Sequence, residues 1–190
     1  MPPIFPDGKI MKVLSHPNTL TLFRMIAAPG IVILLLFPTS KFCTFSAALL
    51  FSAAAITDYL DGYYARLRGL VSNFGKIMDP LADKLLVSSA FIMMASHDWI
   101  PGWIVCIIIG RDLSITGLRS IVVESGEDVS ASALGKYKTG FQIAAIIPLL
   151  FHFPYFGINF HAIGIFFLWG ALIFTLWSGA DYLIKFRKLL

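Results

Sequence analysis

The chain predicts an all-α fold: a polytopic membrane protein with six transmembrane helices. Three observations carry that prediction. First, 57% of the 190 residues are hydrophobic and only 14% are charged, against about 25% charged in a soluble domain; the mean hydropathy is +0.79. Second, apolar runs of membrane-spanning length recur along the whole sequence, which makes residues 1–190 a single membrane domain. Third, the basic residues gather in alternate connections between those runs, as they do in chains threaded through a bilayer. The net charge of +4 then reports topology and points to no nucleic-acid partner.

Residues 1–17 place Ile10, Met11, Val13 and Leu14 around Lys9 and Lys12. That pattern suits an N-terminal interfacial helix as well as it suits a frayed tail. Pro and Gly break the stretch, and no compact apolar core precedes a small-residue cleavage site, so no cleavable signal peptide is expected. The first span is expected at about 20–37, entered through the cap-like Pro17-Asn18-Thr19, and the second at about 42–66. The third is expected at about 80–96, with Asp79 as its N-cap and Pro80 in its first turn. The remaining three are expected at about 99–120, 139–153 and 162–185. The third and fifth are short for a lipid-facing helix, which predicts tilt or shelter. Cys43 and Cys106 lie in separate apolar runs with no CxxC spacing and read as small buried hydrophobes.

Lys9, Lys12, Arg66, Arg68, Lys76, Arg111, Arg119, Lys136, Lys138, Lys185, Arg187 and Lys188 all fall on one side of the predicted bilayer. Only Lys41 falls on the other, and Arg24 and Lys84 lie within or at the ends of spans, nearer the basic side. By the positive-inside rule, both termini and the connections after the second and fourth spans are cytosolic. The histidines His97, His152 and His161 and the aromatics Trp99, Trp103, Tyr155 and Phe156 fall at the outer boundary. Aromatic belts are expected there, and no spacing suggests a histidine ligand set.

Asp58 and Asp61 are three residues apart, and Asp79 and Asp83 are four apart, so each pair shares a helix face. A lone ionised carboxylate in a bilayer is costly, so intramembrane acids have a partner or a task. Asp79 taken alone also reads as a simple cap. Gathering four acids at the cytosolic ends of neighbouring helices, however, calls for cations, and too few Lys or Arg lie nearby to neutralise them. An all-carboxylate site favours hard divalent ions, Mg²⁺ or Mn²⁺, over zinc. Two such ions can clamp a diphosphate and offset charge on a departing phosphate. Gly62 and Ala65 keep the same face small, which lets a ligand or another helix approach.

The residues Asp58-x2-Asp61-Gly62-x2-Ala65-Arg66-x8-Gly75-x3-Asp79-x3-Asp83 resemble the signature of the CDP-alcohol phosphatidyltransferase family at every fixed position. That resemblance implies six transmembrane helices in a homodimer. It implies that Asp58, Asp61 and Asp79 ligate the metals, with Asp83 as ligand or close neighbour and as general base on the acceptor hydroxyl. Gly62 and Ala65 would make room for the cytidine nucleotide, Arg66 and Ser72 would contact the CDP-lipid phosphates, and Gly75 would belong to the same CDP-lipid-binding set. Asn18 and Thr21, in PNTLT, resemble a weaker nucleotide-contact motif; an N-cap and a helix-face hydroxyl explain them equally well.

The segment GRDLSITGLRSIVVESGEDVSASALGKYKTGFQ, residues 110–142, resembles the phosphatidylglycerophosphate synthase branch of that family. Asp112 departs from the glutamate expected there by one methylene. The resemblance implies transfer of the phosphatidyl group from CDP-diacylglycerol to sn-glycerol 3-phosphate, releasing CMP. The small size and the lack of a targeting segment point to a bacterial inner membrane, with an organellar membrane as the alternative, and the skewed basic residues turn the site to the cytosol. The acceptor is a dianion, and Arg111, Lys136 and Lys138, with Arg119 next, are the cations expected to bind it; each also reads as an ordinary positive-inside residue. The alternatives are the same chemistry with inositol phosphate, serine or phosphatidylglycerol as acceptor and, from another class, a divalent-cation transporter. A transporter would place acids at mid-depth with a charged exit on the far side, and the outer loops here are nearly uncharged.

Overall fold

The computed structural model describes residues 17–68, 73–124, 133–154 and 157–187, with side chains at 21–57, 78–118, 135, 137–154 and 157–184. Among these residues six helices form: α1 (Pro17–Leu35), α2 (Lys41–Arg68), α3 (Asn73–Ser96), α4 (Gly102–Glu124), α5 (Ala133–Phe151) and α6 (Phe160–Arg187). The all-α expectation is borne out, while the N-terminal amphipathic segment lies outside the described residues.

Local chemistry sets the helix ends. Pro17 opens α1, where its missing N–H costs nothing. Ser40 caps α2 by accepting the Cys43 N–H at 3.4 Å, and Asn159 caps α6 by accepting the Ala162 N–H at 3.1 Å. At the end of α3, Asp98 takes φ 57 and the Trp99 N–H reaches back to the Met94 carbonyl at 3.0 Å. This is a Schellman-type stop that a short polar side chain tolerates.

Two predicted starts are corrected. α3 begins at Asn73 and α5 at Ala133, each about two turns earlier than hydropathy suggests. Asp79 is therefore a residue of the helix interior and not an N-cap, and Pro80 lies inside α3. The polar first turns NFGKIMD and ALGKYK hide the helix from a hydropathy reading while keeping its backbone register. The fourth helix starts at Gly102, since Pro101 halts the chain first, and leaves Trp99 and Ile100 buried in the connection. Cys106 is exposed on α4, against the expectation of burial, among outward-facing apolar neighbours.

Packing is organised around α1 and α5. α1 lies against α2 and α3, and α5 lies against α6, α2 and α3, while α4 joins α3 to α6. Sequence proximity suggests direct α2–α3 pairing, yet among the described residues that pair makes little contact. Its helices instead share α1 and α5 as neighbours. Small residues permit this: Ala27 and Ala28 on α1 are buried, and a Cβ on Gly30 would meet Leu50 Cδ2 at 3.1 Å. The most extensive pairing, α5 with α6, rests on the same device. A Cβ on Gly164 would lie 2.5 Å from Leu149 Cγ, and one on Gly170 2.6 Å from Phe141 Cδ1. Phe51, Phe91, Met94, Ile108 and Ile146 fill the space between helices.

Contacts at both ends show that successive helices alternate in direction. Lys41 at the start of α2 sits over the Phe153 ring that follows α5, and Phe151 meets Phe160 at the start of α6. His97, just past α3, bonds the Leu35 carbonyl at the end of α1 at 2.7 Å. The other ends of α1, α3 and α5 carry Thr21 and Arg24, Asp79 and Asp83, and Lys138. Within the described residues one stretch, Phe160–Ile184, is long and apolar enough to cross a membrane, and Thr21–Leu35, Lys41–Thr57 and Tyr137–Phe151 are shorter apolar helices.

Candidate active site

On α1, Thr21 and Arg24 are three residues apart and share a face. Both are buried, and both reach Asp79 on α3: the Thr21 hydroxyl donates to Asp79 Oδ1, and Arg24 Nη2 donates to the same oxygen at 3.3 Å. Arg24 is 3% exposed and the Asp79 side chain 45% exposed, so a sheltered cation holds a carboxylate that stays open to the surface. Asp83 follows one turn later on the same face of α3, half-buried.

Beside Asp83 lies a small open cleft between α3, α4 and α5. Asp83 and Lys84 enter it from α3, Asp112 from α4, and Lys138, Thr139 and Gln142 from α5. Ile108 and Val87 line its apolar side. One carboxylate organises the wall. Asp112 Oδ1 accepts Lys138 Nζ and, at 3.3 Å, Arg111 Nη1, while Oδ2 accepts Gln142 Nε2 at 3.3 Å. The second Arg111 nitrogen donates to Ser178 Oγ on α6 at 2.9 Å.

Of the residues expected to carry the chemistry, Thr21 and Asp79 are joined by a hydrogen bond, while Asp83 and Lys138 line one cleft, with Arg111 tied to its wall through Asp112. Thr21, read as a nucleotide contact or helix-face hydroxyl, here donates to Asp79. The side chains of Asn18, Asp58, Asp61, Gly62, Ala65, Arg66, Gly75, Arg119 and Lys136 lie outside the described residues, as does Ser72 entirely. Among the described residues no group of three His, Cys, Asp or Glu is placed to hold a metal ion. Asp79 and Asp83, one turn apart with oxygen donors only, suit two corners of a hard-cation site.

Sequence reasoning assigned no role to Arg24, Lys84, Gln142 or Ser178. Arg24 had a signal, a lone guanidinium three residues from Thr21 in an otherwise apolar run. Ser178 had none, because its partner is 67 residues away.

An all-helical bundle with paired carboxylates beside a lysine-lined cleft has the parts of a phosphoryl-group transferase acting on anionic substrates. Residues 14–177 match the profile of the CDP-alcohol phosphatidyltransferase family, and the chain belongs to that family. It is 42% identical over 181 residues to the CDP-diacylglycerol–glycerol-3-phosphate 3-phosphatidyltransferase of Bacillus subtilis (strain 168), a match covering 89% of this chain and 93% of that protein. It is 37% identical over 175 residues to the protein of the same name from Escherichia coli (strain K12), covering 90% and 94%. The same figures apply to the protein of that name from Shigella flexneri serotype 5b (strain 8401).

Proposed function

We propose that this chain transfers the phosphatidyl group of CDP-diacylglycerol to sn-glycerol 3-phosphate, giving phosphatidylglycerophosphate and CMP. The observation that carries this reading is the cleft that holds Asp83 together with Lys84 and Lys138. A carboxylate able to take a proton stands beside cations able to hold a phosphate, which is what an acceptor bearing both a hydroxyl and a phosphate needs. A neutral acceptor such as serine would leave those cations without a ligand.

In the reaction Asp83 takes the proton of the acceptor hydroxyl. The freed oxygen bonds to the phosphorus that carries the diacylglycerol, and the bond from that phosphorus to the CMP oxygen breaks. Lys84 and Lys138 hold the acceptor's phosphate, assisted by Arg111, Arg119 and Lys136. Gly62, Ala65, Gly75, Asn18 and Thr21 border the nucleotide, and Arg66 and Ser72 contact the CDP-lipid phosphates. Asp58, Asp61, Asp79 and Asp83 would hold two divalent ions, Mg²⁺ or Mn²⁺; when bound, these supply positive charge against the diphosphate. Arg24 and Thr21 support the orientation of Asp79 towards that site.

We read all six helices as spans of one membrane domain, with the N-terminal segment at the interface. The outward faces support this: Leu22, Ile33, Phe42, Ile92, Phe166 and Trp177 are all exposed, an apolar girdle that water would not favour. Charged site residues near the ends of α1, α3, α4 and α5 lower the apparent hydropathy of those helices. The skewed basic residues support a site facing the cytosol, and the bacterial relatives support a bacterial inner membrane. Family resemblance supports a homodimer.

The test is incorporation of radiolabelled glycerol 3-phosphate into lipid by purified protein in CDP-diacylglycerol micelles, with and without EDTA and against a panel of alcohols. Incorporation that depends on CDP-diacylglycerol, is lost in EDTA and is restored by Mg²⁺ or Mn²⁺ is expected. Undiminished synthesis in EDTA would remove the metal reading, and preference for serine or inositol phosphate would remove the acceptor.

A further inference from the structure

We propose that Asp112 is a positioning residue for the acceptor site. It sets Lys138, Gln142 and Arg111 in the arrangement that receives the phosphate of the acceptor. This rests on the reading that the cleft takes glycerol 3-phosphate.

The geometry points to it in three ways. Asp112 accepts from Lys138 and Arg111 through one oxygen and from Gln142 through the other. Lys138 and Gln142 are one turn apart on α5, so a single carboxylate on α4 fixes both the rotation and the height of that face of α5. The side chains are sheltered: 13% exposed for Asp112, 16% for Arg111 and 9% for Lys138. Inside a low-dielectric wall such bonds are strong, and an unpaired member is costly, so the cluster has one favoured arrangement. Arg111 is also pinned from outside the cleft. Ser178 accepts its second nitrogen, and Gly179 leaves only 3.3 Å between a would-be Cβ and Arg111 Cγ. The aliphatic stem of Arg111 thus lies against a stretch of α6 that has no bulk.

Charge gives the cluster its direction. Lys84, Lys138 and Arg111 bring three positive charges, and Asp112 removes one. Two remain to face a phosphate dianion while Asp83 takes up the hydroxyl proton. Were Asp112 neutral, Lys138 would lose its partner inside the wall and α5 its tie to α4. The cations would then be present but misaligned, a change that weakens acceptor capture more than it disturbs the lipid donor.

The experiment compares Asp112→Asn, Asp112→Glu and Gln142→Leu with the unaltered full-length protein in CDP-diacylglycerol micelles. It measures KM for glycerol 3-phosphate, KM for CDP-diacylglycerol and kcat separately, together with inhibition by inorganic phosphate at the acceptor site. For Asp112→Asn a rise of about tenfold or more in the glycerol 3-phosphate KM and in the phosphate inhibition constant is expected, with the CDP-diacylglycerol KM within about twofold of wild type. Asp112→Glu, which keeps the charge, should restore both to within about threefold. Gln142→Leu removes one donor and leaves the ion pairs, so a smaller rise of the same kind is expected. If Asp112→Asn does not accumulate as folded protein, Gln142→Leu decides alone: a selective rise supports the proposal, and an unchanged acceptor KM overturns it. Equal losses for both substrates, or no rescue by glutamate, would also overturn it. Failure of the unaltered protein to use glycerol 3-phosphate is a separate result that removes the functional reading itself.

Discussion

At one end of the bundle, charges are held by bonds that cross between helices. Arg24 of α1 grips Asp79 of α3, and Lys138 of α5 grips Asp112 of α4. The opposite end is closed by rings. Trp99 stacks on His152 with centroids 3.9 Å apart and planes 12° apart, His161 meets His152 edge-on at 5.5 Å, and Phe45 meets Phe151 at 5.6 Å. Asp83 lies in α3 and His97 just past its end, about 20 Å apart along the helix axis, yet they occupy environments of opposite kind. The difference separates two tasks. Rings seal an end by dispersion and need no partner of fixed charge. Crossed ion pairs hold side chains at set positions while leaving one face open, as at the half-exposed Asp79. The candidate reacting groups Asp79 and Asp83 sit at the end where order comes from charge, and the aromatic seal lies at the end where order comes from packing.

The sharpest way to break this division is Asp83→Asn. If Asp83 takes the acceptor proton, the amide should lower CMP release by about 10²–10⁴-fold while binding of CDP-diacylglycerol and the thermal midpoint stay near wild type. Near-normal turnover in this variant would end its role as base. Trp99→Ala tests the other end. Trp99 is 9% exposed and carries the stack with His152, so its removal should cost about 3–5 kcal/mol of stability. Turnover per folded molecule and both KM values should be unchanged, measured below the lowered unfolding temperature. A selective change in the acceptor KM would show that the two ends are coupled.

The same contrast explains what the sequence made legible. Six helices were legible because each is an apolar run punctuated by Pro, Gly or a cap, as at Pro17, Ser40 and Asn159. The starts of α3 and α5 were not, because the residues that line the site are polar and lie inside those helices; function there lowers the hydropathy on which the reading depends. Asp79 and Asp83 were legible as a pair because their relation is local, one helical turn. The hub at Asp112 was not, since its partners Lys138 and Gln142 lie 26 and 30 residues away. Local spacing could mark Asp112 only as a variant of a motif. The clasp of Arg24 on Asp79 spans 55 residues and was invisible for the same reason.

His97 offers the finest test of the ring-closed end, because among the described residues it is the one place there where a side chain joins two helices by a polar bond to backbone. Its Nε2 lies 2.7 Å from the Leu35 carbonyl, one of the carbonyls that the last turn of α1 leaves without a partner in the helix. His97→Phe keeps the ring beside Trp99, where the centroids now lie 5.7 Å apart, and deletes only the donor. If packing dominates this end, the loss should be about 1 kcal/mol, the net worth of one hydrogen bond, and far below that of Trp99→Ala. Chemical denaturation in a fixed detergent, comparing the two variants side by side, measures it. A His97→Phe loss equal to that of Trp99→Ala would mean that the tie between α1 and α3 holds the outer end, and that polar bonds order both ends of the bundle alike.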